Sequence, residues 1–234
     1  MKIKTAIIGG TLFYKSKLFS NTKPKEKSNC HGQTVLFISK NAIFLPRHGP
    51  NHNIPPHKIN HNANMLALKD MGVEYIIGAC SAGSLKKSIK PGCLVIPDDY
   101  INLYNQATIF NDGIVHITPE LNEELRQIII ETAAELEYKT INSGVYVQTT
   151  GPRLETKAEI KMLSKFADIV GMTMGQEASI AQELGIKYAS LCSVDNYANG
   201  ISSAEISSED ILEFAGRNSE KVKNIAIAAV EKLA

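Results

Sequence analysis

The chain has 234 residues, 44% of them hydrophobic, and a formal net charge of +1. This length and apolar content suit one large domain spanning residues 1–234. The near-zero charge argues against binding to nucleic acid or to an anionic membrane surface, because both require a basic excess. No apolar run approaches the roughly 20 residues of a membrane-spanning helix, so we expect no membrane partner.

The cysteine pattern bears on the compartment of the protein. Cys30, Cys80, Cys93 and Cys192 show no CxxC spacing and predict a reduced, cytoplasmic protein rather than a disulfide scaffold. The first residues run directly into a strand pattern, so we expect no signal peptide. Neither an HExxH motif nor an Asp-rich metal spacing occurs, and we expect no metal or other bound cofactor.

The apolar pattern predicts alternating strands and helices. In chain order it predicts strands 3–8, 33–39 and 41–45, helix 63–71, strands 75–80 and 93–96, helix 119–136, strand 143–148, helices 156–166 and 176–184, strand 187–193 and helix 208–233. The polar stretches 12–32 and 51–61 are predicted to be surface loops, the first with a hairpin edge. Thr118 is the predicted N-cap of helix 119–136. This order indicates an α/β fold, a mixed, mainly parallel sheet with helices on both faces.

Three small turns are predicted to follow apolar strands. They are Ile7-Ile8-Gly9-Gly10-Thr11, Cys80-Ser81-Ala82-Gly83-Ser84 and Gly171-Met172-Thr173. Backbone N–H groups and hydroxyls in such turns bind oxyanions. In Pro46-Arg47-His48-Gly49, Arg47 adds a guanidinium able to hold an anion with two hydrogen bonds. Because ligands of α/β sheets bind beyond the carboxyl ends of strands, these segments predict one anion site suited to free phosphate.

Seven ordered segments carry a wider pattern. They are Ile7-Ile8-Gly9-Gly10-Thr11, Pro46-Arg47-His48-Gly49, Ser81-Ala82-Gly83-Ser84-Leu85, Pro91-Gly92-Cys93-Leu94-Val95-Ile96-Pro97-Asp98, Thr150-Gly151-Pro152-Arg153-Leu154-Glu155-Thr156, Gly171-Met172-Thr173 and Val194-Asp195-Asn196-Tyr197. Over nearly its whole length the chain thereby resembles the trimeric purine nucleoside phosphorylase and methylthioadenosine phosphorylase family. The resemblance implies the nucleoside phosphorylase fold. It also implies cleavage of a purine nucleoside by inorganic phosphate, giving a free base and a ribose 1-phosphate derivative in purine salvage.

This reaction needs two kinds of charge stabilisation, because breaking an N-glycosidic bond places positive charge on the sugar and negative charge on the base. A bound phosphate serves as nucleophile and counter-charge. The resemblance assigns phosphate contacts to Thr11, Arg47, His48, the backbone at Ser81, and Thr173. Taken singly, each has a structural alternative: turn hydrogen bonds for the hydroxyls, a surface ion pair for Arg47 and a structural role for His48. At Cys80 relatives often place a phosphate-binding threonine, and a thiol is expected to act only as a wall.

The resemblance also implies a set of substrate contacts. The candidate substrate-binding residues are Leu154, Glu155, Met172, Asn196, Ile211 and His116, and the catalytic candidates are Arg47, His48 and Asn196. Met172 matches a methionine that packs under the ribose, although a lone methionine is usually core. His116 matches a histidine that reaches into the sugar pocket of the neighbouring subunit, which implies a homotrimer. The alternative for His116 is a half-exposed strand residue.

Asn196 and Glu155 indicate which base is read. A 6-oxo group is a hydrogen-bond acceptor and needs a donor such as the Asn196 amide, whereas a 6-amino group is a donor and suits a carboxylate. Glu155 can accept from N1–H of a 6-oxopurine. The carboxylate of Asp195, one residue away, leaves the opposite reading open, and Ala198 replaces a second Asp of the methylthioadenosine-type sequence.

The 5′ end of the nucleoside is less constrained. Residues 197–234 contain no histidine, and the apolar Ile206, Ile211 and Leu212 favour a methylthio group over a hydroxyl. Inosine, guanosine and 5′-methylthioinosine are therefore the candidate substrates. The alternatives are a methylthioadenosine phosphorylase and a non-catalytic relative that binds purine or phosphate. One departure from the family is Leu12, which stands where a glycine is usual and makes the path of that loop uncertain.

Overall fold

The computed structural model describes residues 3–13, 22–104, 106–203 and 208–234. Its strands are β1 (Thr5–Gly9), β2 (Pro24–Asn29), β3 (Gly32–Ile38), β4 (Ile43–Pro46), β5 (Tyr75–Ser84), β6 (Leu94–Val95), β7 (Asp99–Asn102), β8 (Thr140–Ile141), β9 (Val145–Gln148), β10 (Ile169–Gly171) and β11 (Lys187–Tyr197). Its helices are α1 (His61–Asp70), α2 (Glu123–Glu135), α3 (Lys157–Leu163), α4 (Met174–Glu183) and α5 (Ser208–Lys232). Within these ranges no helix is long and apolar enough to span a bilayer.

All of these strands belong to one sheet. Eight of them pair in the order β2-β3-β4-β1-β5-β10-β9-β7. In addition, β11 pairs with β5, β6 pairs with β11, and β8 pairs with β6. The central strands β4, β1, β5 and β11 run parallel, and the β2–β3 hairpin forms an antiparallel edge. Successive residues of each central strand face opposite sides. Ile76 packs in the core layer that contains residues of α1 and α4, and Ile77 packs in the layer that contains residues of α2 and α5. The expected α/β fold is confirmed.

The second predicted turn is a strand in the structure. Residues 80–84 belong to β5, because Cys80 to Ser84 continue the parallel ladder with β11, and Gly83 and Ser84 also pair with β10. If residues 80–84 contribute to an anion site, they do so from the end of a strand and not from a turn. β7 and β8 were not predicted, since β7 is a four-residue strand with polar ends and β8 has only two residues.

Four helices begin at residues other than those predicted: α3 begins one residue late at Lys157, α4 begins two residues early at Met174, and α1 and α2 also differ. α2 begins at Glu123, because the Asn122 side chain accepts from the Leu125 N–H at 3.0 Å and caps the helix, so the Thr118 cap was wrong. α1 begins two residues early, since Asn60 caps it in the same way. The segment 51–61 is a loop with one 3-10 turn at Pro56–Lys58, and His61 is buried at the start of α1.

The first turn folds inward despite the lost glycine. Leu12 is buried in a 3-10 turn at Thr11–Phe13, which the Phe13 N–H closes onto the Gly10 carbonyl oxygen at 2.9 Å. Residues 14–21 lie outside the described ranges, as do residues 204–207 with Ile206.

Gly78 creates room for a side chain that crosses β5. A Cβ at Gly78 would lie 2.1 Å from the Tyr188 hydroxyl oxygen. Through this gap Tyr188 of β11 reaches α4 and donates to Glu177 Oε2 at 2.9 Å. Tyr188 can therefore make its buried contact with Glu177 only because position 78 carries no side chain.

We expect Gly78→Ala to lower the free energy of unfolding by about 1–3 kcal/mol or more, because the methyl group displaces Tyr188. Gly216→Ala is the control, since Gly216 lies in α5 with open space around it and should gain about 1 kcal/mol from helix propensity. Urea unfolding measures both. A Gly78→Ala protein as stable as wild type would contradict the packing described.

Candidate active site

A cavity of about 420 Å³ opens where β1, β4, β5, β10 and β11 end. Its lining contains the predicted site residues Thr11, Arg47, His48, Ser81, Leu154, Glu155, Met172, Thr173, Asn196 and Ile211. It also contains Ala82, Gly83 and Gly171 of the predicted turns, Ala198, and residues that were not predicted: His52, Asn53, Ile54, Pro55, Pro56, Val170 and Asn199. The structure thus brings together segments far apart in the sequence, while the role of each residue stays a prediction.

Arg47 lies in a buried ion pair rather than free at the cavity. Its Nε and Nη2 atoms both donate to the Glu177 carboxylate of α4, and Nη1 donates to the Ala79 carbonyl oxygen at 2.9 Å. The pair of hydrogen bonds that Arg47 was expected to make to an anion is therefore made to the Glu177 carboxylate. Among the described residues one Nη1 hydrogen is left for a ligand. Burial opposes the charge, but Glu177 more than offsets it, and the pKa of Arg47 lies well above its usual value.

His48 is neutral at physiological pH. Burial, with the charge of Arg47 adding to it, lowers the pKa of His48 to about 4. Nδ1–H donates to the Ile54 carbonyl oxygen at 2.8 Å, which leaves Nε2 as an acceptor. In this state Nε2 can accept a hydrogen bond but cannot donate one, and it becomes a donor only when the ring is protonated.

His52 is a second imidazole in the cavity that sequence reasoning missed. Its ring lies edge-on to the His48 ring, with centroids 4.9 Å apart, and burial followed by the charge of Arg47 lowers its pKa. The signal for it was the polar loop 51–61, which is rich in His, Asn and Pro. Residues 52–56 of that loop line the cavity, while most side chains of the loop are exposed as expected for a surface loop.

Thr173 precedes α4 with its hydroxyl uninvolved in capping. Backbone N–H groups at the start of α4 find partners on β9: Thr173 N–H donates to the Tyr146 hydroxyl at 3.3 Å, and Gln176 N–H donates to Gln148 Oε1 at 3.1 Å. The helix start is therefore satisfied without the Thr173 side chain, which can donate to a ligand in the cavity.

Cys80 is not part of the cavity wall. Its thiol is fully buried, 3.5 Å from Arg47 Nη2 and from the Ser190 hydroxyl. The expectation of a wall was wrong because Cys80 faces the side of β5 that carries the Arg47–Glu177 pair. Ser81 and Cys80 are neighbours on β5. Ser81 lines the cavity, whereas Cys80 does not line it and contacts Arg47.

A β-bulge separates Asp195 from Asn196. In the ladder with β5, Val194 pairs with Ala82 and Asn196 with Gly83, so Asp195 is an extra residue. Asp195 is fully buried and accepts hydrogen bonds from Ser81 and Ser193, whereas Asn196 lines the cavity. The Asn196 Nδ2 donates to the Tyr197 carbonyl oxygen at 2.8 Å, which holds the amide and leaves a second N–H.

Glu155 is held in the wall next to the amide. Thr149 Oγ1 donates to Glu155 Oε1 at 2.6 Å, and Asn199 Nδ2 donates to the Glu155 backbone oxygen at 3.2 Å. The carboxylate is nine-tenths buried and keeps further acceptor capacity for a ligand. An amide donor and a carboxylate acceptor therefore share one cavity.

The apolar lining comes from three places. Met172 lies against Gly151, where a Cβ would approach its sulfur to 2.5 Å. Ile54 and Ile211 add aliphatic surface, while Leu212 is 56% exposed and does not line the cavity. Of the three apolar residues expected at the 5′ end, Ile211 lines the cavity, Leu212 does not, and Ile206 lies outside the described residues.

His116 lies outside the cavity of its own chain. It belongs to an exposed segment, 111–116, in which Ile114 is 88% and Val115 48% exposed. Within the described part of the chain, no group of three or more His, Cys, Asp or Glu side chains could hold a metal ion.

We expect Glu177→Gln to lower the free energy of unfolding by about 3–5 kcal/mol, because it leaves the Arg47 charge buried without a counter-charge. Tyr188→Phe is the matched control, since it removes one hydrogen bond to the same carboxylate and should cost about 1 kcal/mol. Both are measured by urea unfolding. Equal losses in the two variants would mean that the charge pair is not what holds Arg47.

The chain is similar in sequence to known proteins. The sequence model of one family, the Phosphorylase superfamily, matches residues 4–231. The chain is 42% identical over 232 residues to a "Probable 6-oxopurine nucleoside phosphorylase" of Archaeoglobus fulgidus, covering 97% of this chain and 96% of that protein. It is 40% identical to a "Probable S-methyl-5'-thioinosine phosphorylase" of Methanocaldococcus jannaschii, covering 88% and 84%.

A solved structure gives the same result for the fold. Methylthioadenosine phosphorylase from Schistosoma mansoni in complex with adenine superposes with a TM-score of 0.90 at 27% identity, covering 99% of this chain and 92% of that one. The chain therefore belongs to the phosphorylase superfamily.

Proposed function

We propose that this protein is a purine nucleoside phosphorylase that cleaves 6-oxopurine nucleosides with inorganic phosphate. The observation that carries the proposal is that one cavity is lined both by the candidate anion-binding residues and by the amide of Asn196 and the carboxylate of Glu155. Relatives named for 6-oxopurine nucleosides and for methylthioinosine support it. Inorganic phosphate is the co-substrate, and no other cofactor is needed.

In the proposed reaction phosphate attacks the anomeric carbon as its bond to the purine nitrogen breaks. A new C–O bond gives the ribose 1-phosphate derivative, and the electron pair of the broken C–N bond leaves with the base. Arg47 Nη1, the Thr11 and Thr173 hydroxyls and the Ser81 backbone hold the phosphate, with His48 at its side. The phosphate charge then stabilises the cationic sugar.

At the base, Asn196 and Glu155 are proposed to select the substrate. The second N–H of the Asn196 amide donates to the 6-oxo group and stabilises the charge that the base acquires on leaving. Glu155, held by Thr149, accepts from N1–H. A 6-amino base would face the amide N–H with its own donor and leave buried groups unpaired.

The 5′ wall favours an apolar substituent. Ile54, Pro55 and Ile211 offer aliphatic surface there, so 5′-methylthioinosine stands beside inosine and guanosine as a proposed substrate. The same wall, together with the adenine-bound structural neighbour, supports methylthioadenosine phosphorolysis as the second candidate function. Asn196 and Glu155 argue against that candidate.

The proposed assembly is a homotrimer in which His116 completes the cavity of a neighbouring subunit. The support is the position of His116 beside the exposed Ile114 and Val115, away from its own cavity, together with the family resemblance. Four free thiols suit a reducing compartment, and the proposed location is the cytoplasm.

We expect Asn196→Asp to lower kcat/KM for inosine by about 100-fold and to raise the ratio of adenosine to inosine turnover, because the donor becomes an acceptor. Asn199→Asp is the control, since Asn199 also lines the cavity and has its amide on the Glu155 backbone. Base release from both nucleosides in excess phosphate is the measurement. An unchanged ratio in Asn196→Asp would assign base reading to another group.

We expect Thr173→Val to raise KM for phosphate about tenfold with little change in KM for the nucleoside, because only a hydroxyl donor to the anion is lost. Thr149→Val is the comparison variant, since its hydroxyl serves Glu155 and should affect the nucleoside instead. Initial rates with each substrate varied in turn separate the two. Equal effects of Thr173→Val on both KM values would remove Thr173 from the anion set.

A further inference from the structure

Asp195 is a fully buried carboxyl with two hydroxyls as its partners. Ser81 of β5 and Ser193 of its own strand donate to it. Ser193 also accepts from Asn218 Nδ2 of α5 at 2.9 Å, and Lys221 Nζ lies 3.3 Å from the far oxygen of Asn218. Among the described residues no charged side chain acts on the carboxyl directly. Burial therefore raises the pKa of Asp195 to about 7 against the opposing effect of the two hydroxyls.

Ser81 connects this carboxyl with the cavity. It bonds Asp195 on one side and lines the cavity together with Arg47 and Thr173 on the other. A hydroxyl has a single hydrogen. When Asp195 is ionised that hydrogen points at the carboxylate, so the Ser81 oxygen offers only lone pairs to an anion. When Asp195 is protonated, its own O–H can donate to Ser81, and the Ser81 hydrogen is released for the anion.

We propose that Asp195 is a positioning residue of the anion site. An anion that binds in the cavity takes up one proton at Asp195, so that the Ser81 hydroxyl stops donating to Asp195 and donates to the anion instead. The proton comes from solvent and adds to the carboxylate oxygen that faces Ser81, and no other covalent bond changes. This step rests on the proposed function only in naming phosphate as the natural anion. It is separate from the backbone contact assigned to Ser81.

Other ionisable groups of the cavity must be separated from Asp195. They are Arg47, His48, His52 and Glu155. The imidazoles of His48 and His52 both have lowered pKa values, so they are the competing acceptors for a proton taken up with an anion. Asp195→Asn distinguishes Asp195 from them, because an asparagine accepts from Ser193 and donates to Ser81 at every pH while both imidazoles are unchanged.

Sulfate is the appropriate probe, because phosphate itself titrates near neutral pH and sulfate does not. Isothermal titration calorimetry in buffers of different ionisation enthalpy counts the protons bound per sulfate. For wild type we expect most of one proton at about pH 8, and an affinity that falls about tenfold per pH unit above about pH 7. For Asp195→Asn we expect no proton uptake and a flat affinity. Ser81→Ala should lose the steep pH dependence and bind sulfate more weakly.

Proton uptake by Asp195→Asn equal to that of wild type would overturn the proposal and assign the proton to the imidazoles of His48 and His52. If Asp195→Asn does not fold, the wild type and Ser81→Ala decide, and a wild type that binds no sulfate or binds it without a proton overturns the proposal. Phosphate-dependent base release is assayed on the same preparations. Linked proton uptake without base release would reject the proposed function alone, and base release without linkage would reject this inference alone.

Discussion

The candidate site depends on the buried pair formed by Arg47 and Glu177. These residues are 130 positions apart, and their contact joins the end of β4 to the first turn of α4. The same guanidinium holds the Ala79 carbonyl oxygen of β5. Because a buried charge without a partner is strongly unfavourable, Arg47 has one stable arrangement, which orders the strand ends around it. The cavity is built on this arrangement.

Close approach between side chains and strand backbone supports the pair. Tyr188 crosses β5 over Gly78 to reach Glu177, and Tyr146 lies over Gly171 to receive the first N–H groups of α4. In both places a glycine allows an aromatic hydroxyl to satisfy a buried polar group. As a result the Thr173 hydroxyl does not cap α4 and is available to a ligand in the cavity.

Periodicity was enough to predict the long elements. The apolar positions of α2 and α5 recur at helical spacing, and β1, β5 and β11 correspond to continuous apolar runs typical of buried strands. It failed for β7 and β8, which are too short to show a period. It also could not find the end of β5, because Ser81, Ala82 and Gly83 read as a turn until their pairing with β11 is known.

Much of the lining of the cavity was predictable from the sequence as a set of residues, but the contacts among these residues were not. Motifs indicated Arg47, Thr173 and Asn196. No local pattern shows that the Glu177 carboxylate accepts hydrogen bonds from both Nε and Nη2 of Arg47. The bulge at Asp195 is equally invisible, since one extra residue decides whether Asp195 or Asn196 faces the cavity. His52 was missed because a polar loop has the same composition whether it faces solvent or a ligand.

The most direct test of the account is the release of purine base by the wild-type protein, with and without inorganic phosphate, from inosine, guanosine, 5′-methylthioinosine and 5′-methylthioadenosine. The account predicts release of hypoxanthine or guanine only when phosphate is present, with little adenine. Preferential release of adenine would contradict the reading of Asn196 and Glu155, and release that does not depend on phosphate would contradict the anion site built around Arg47.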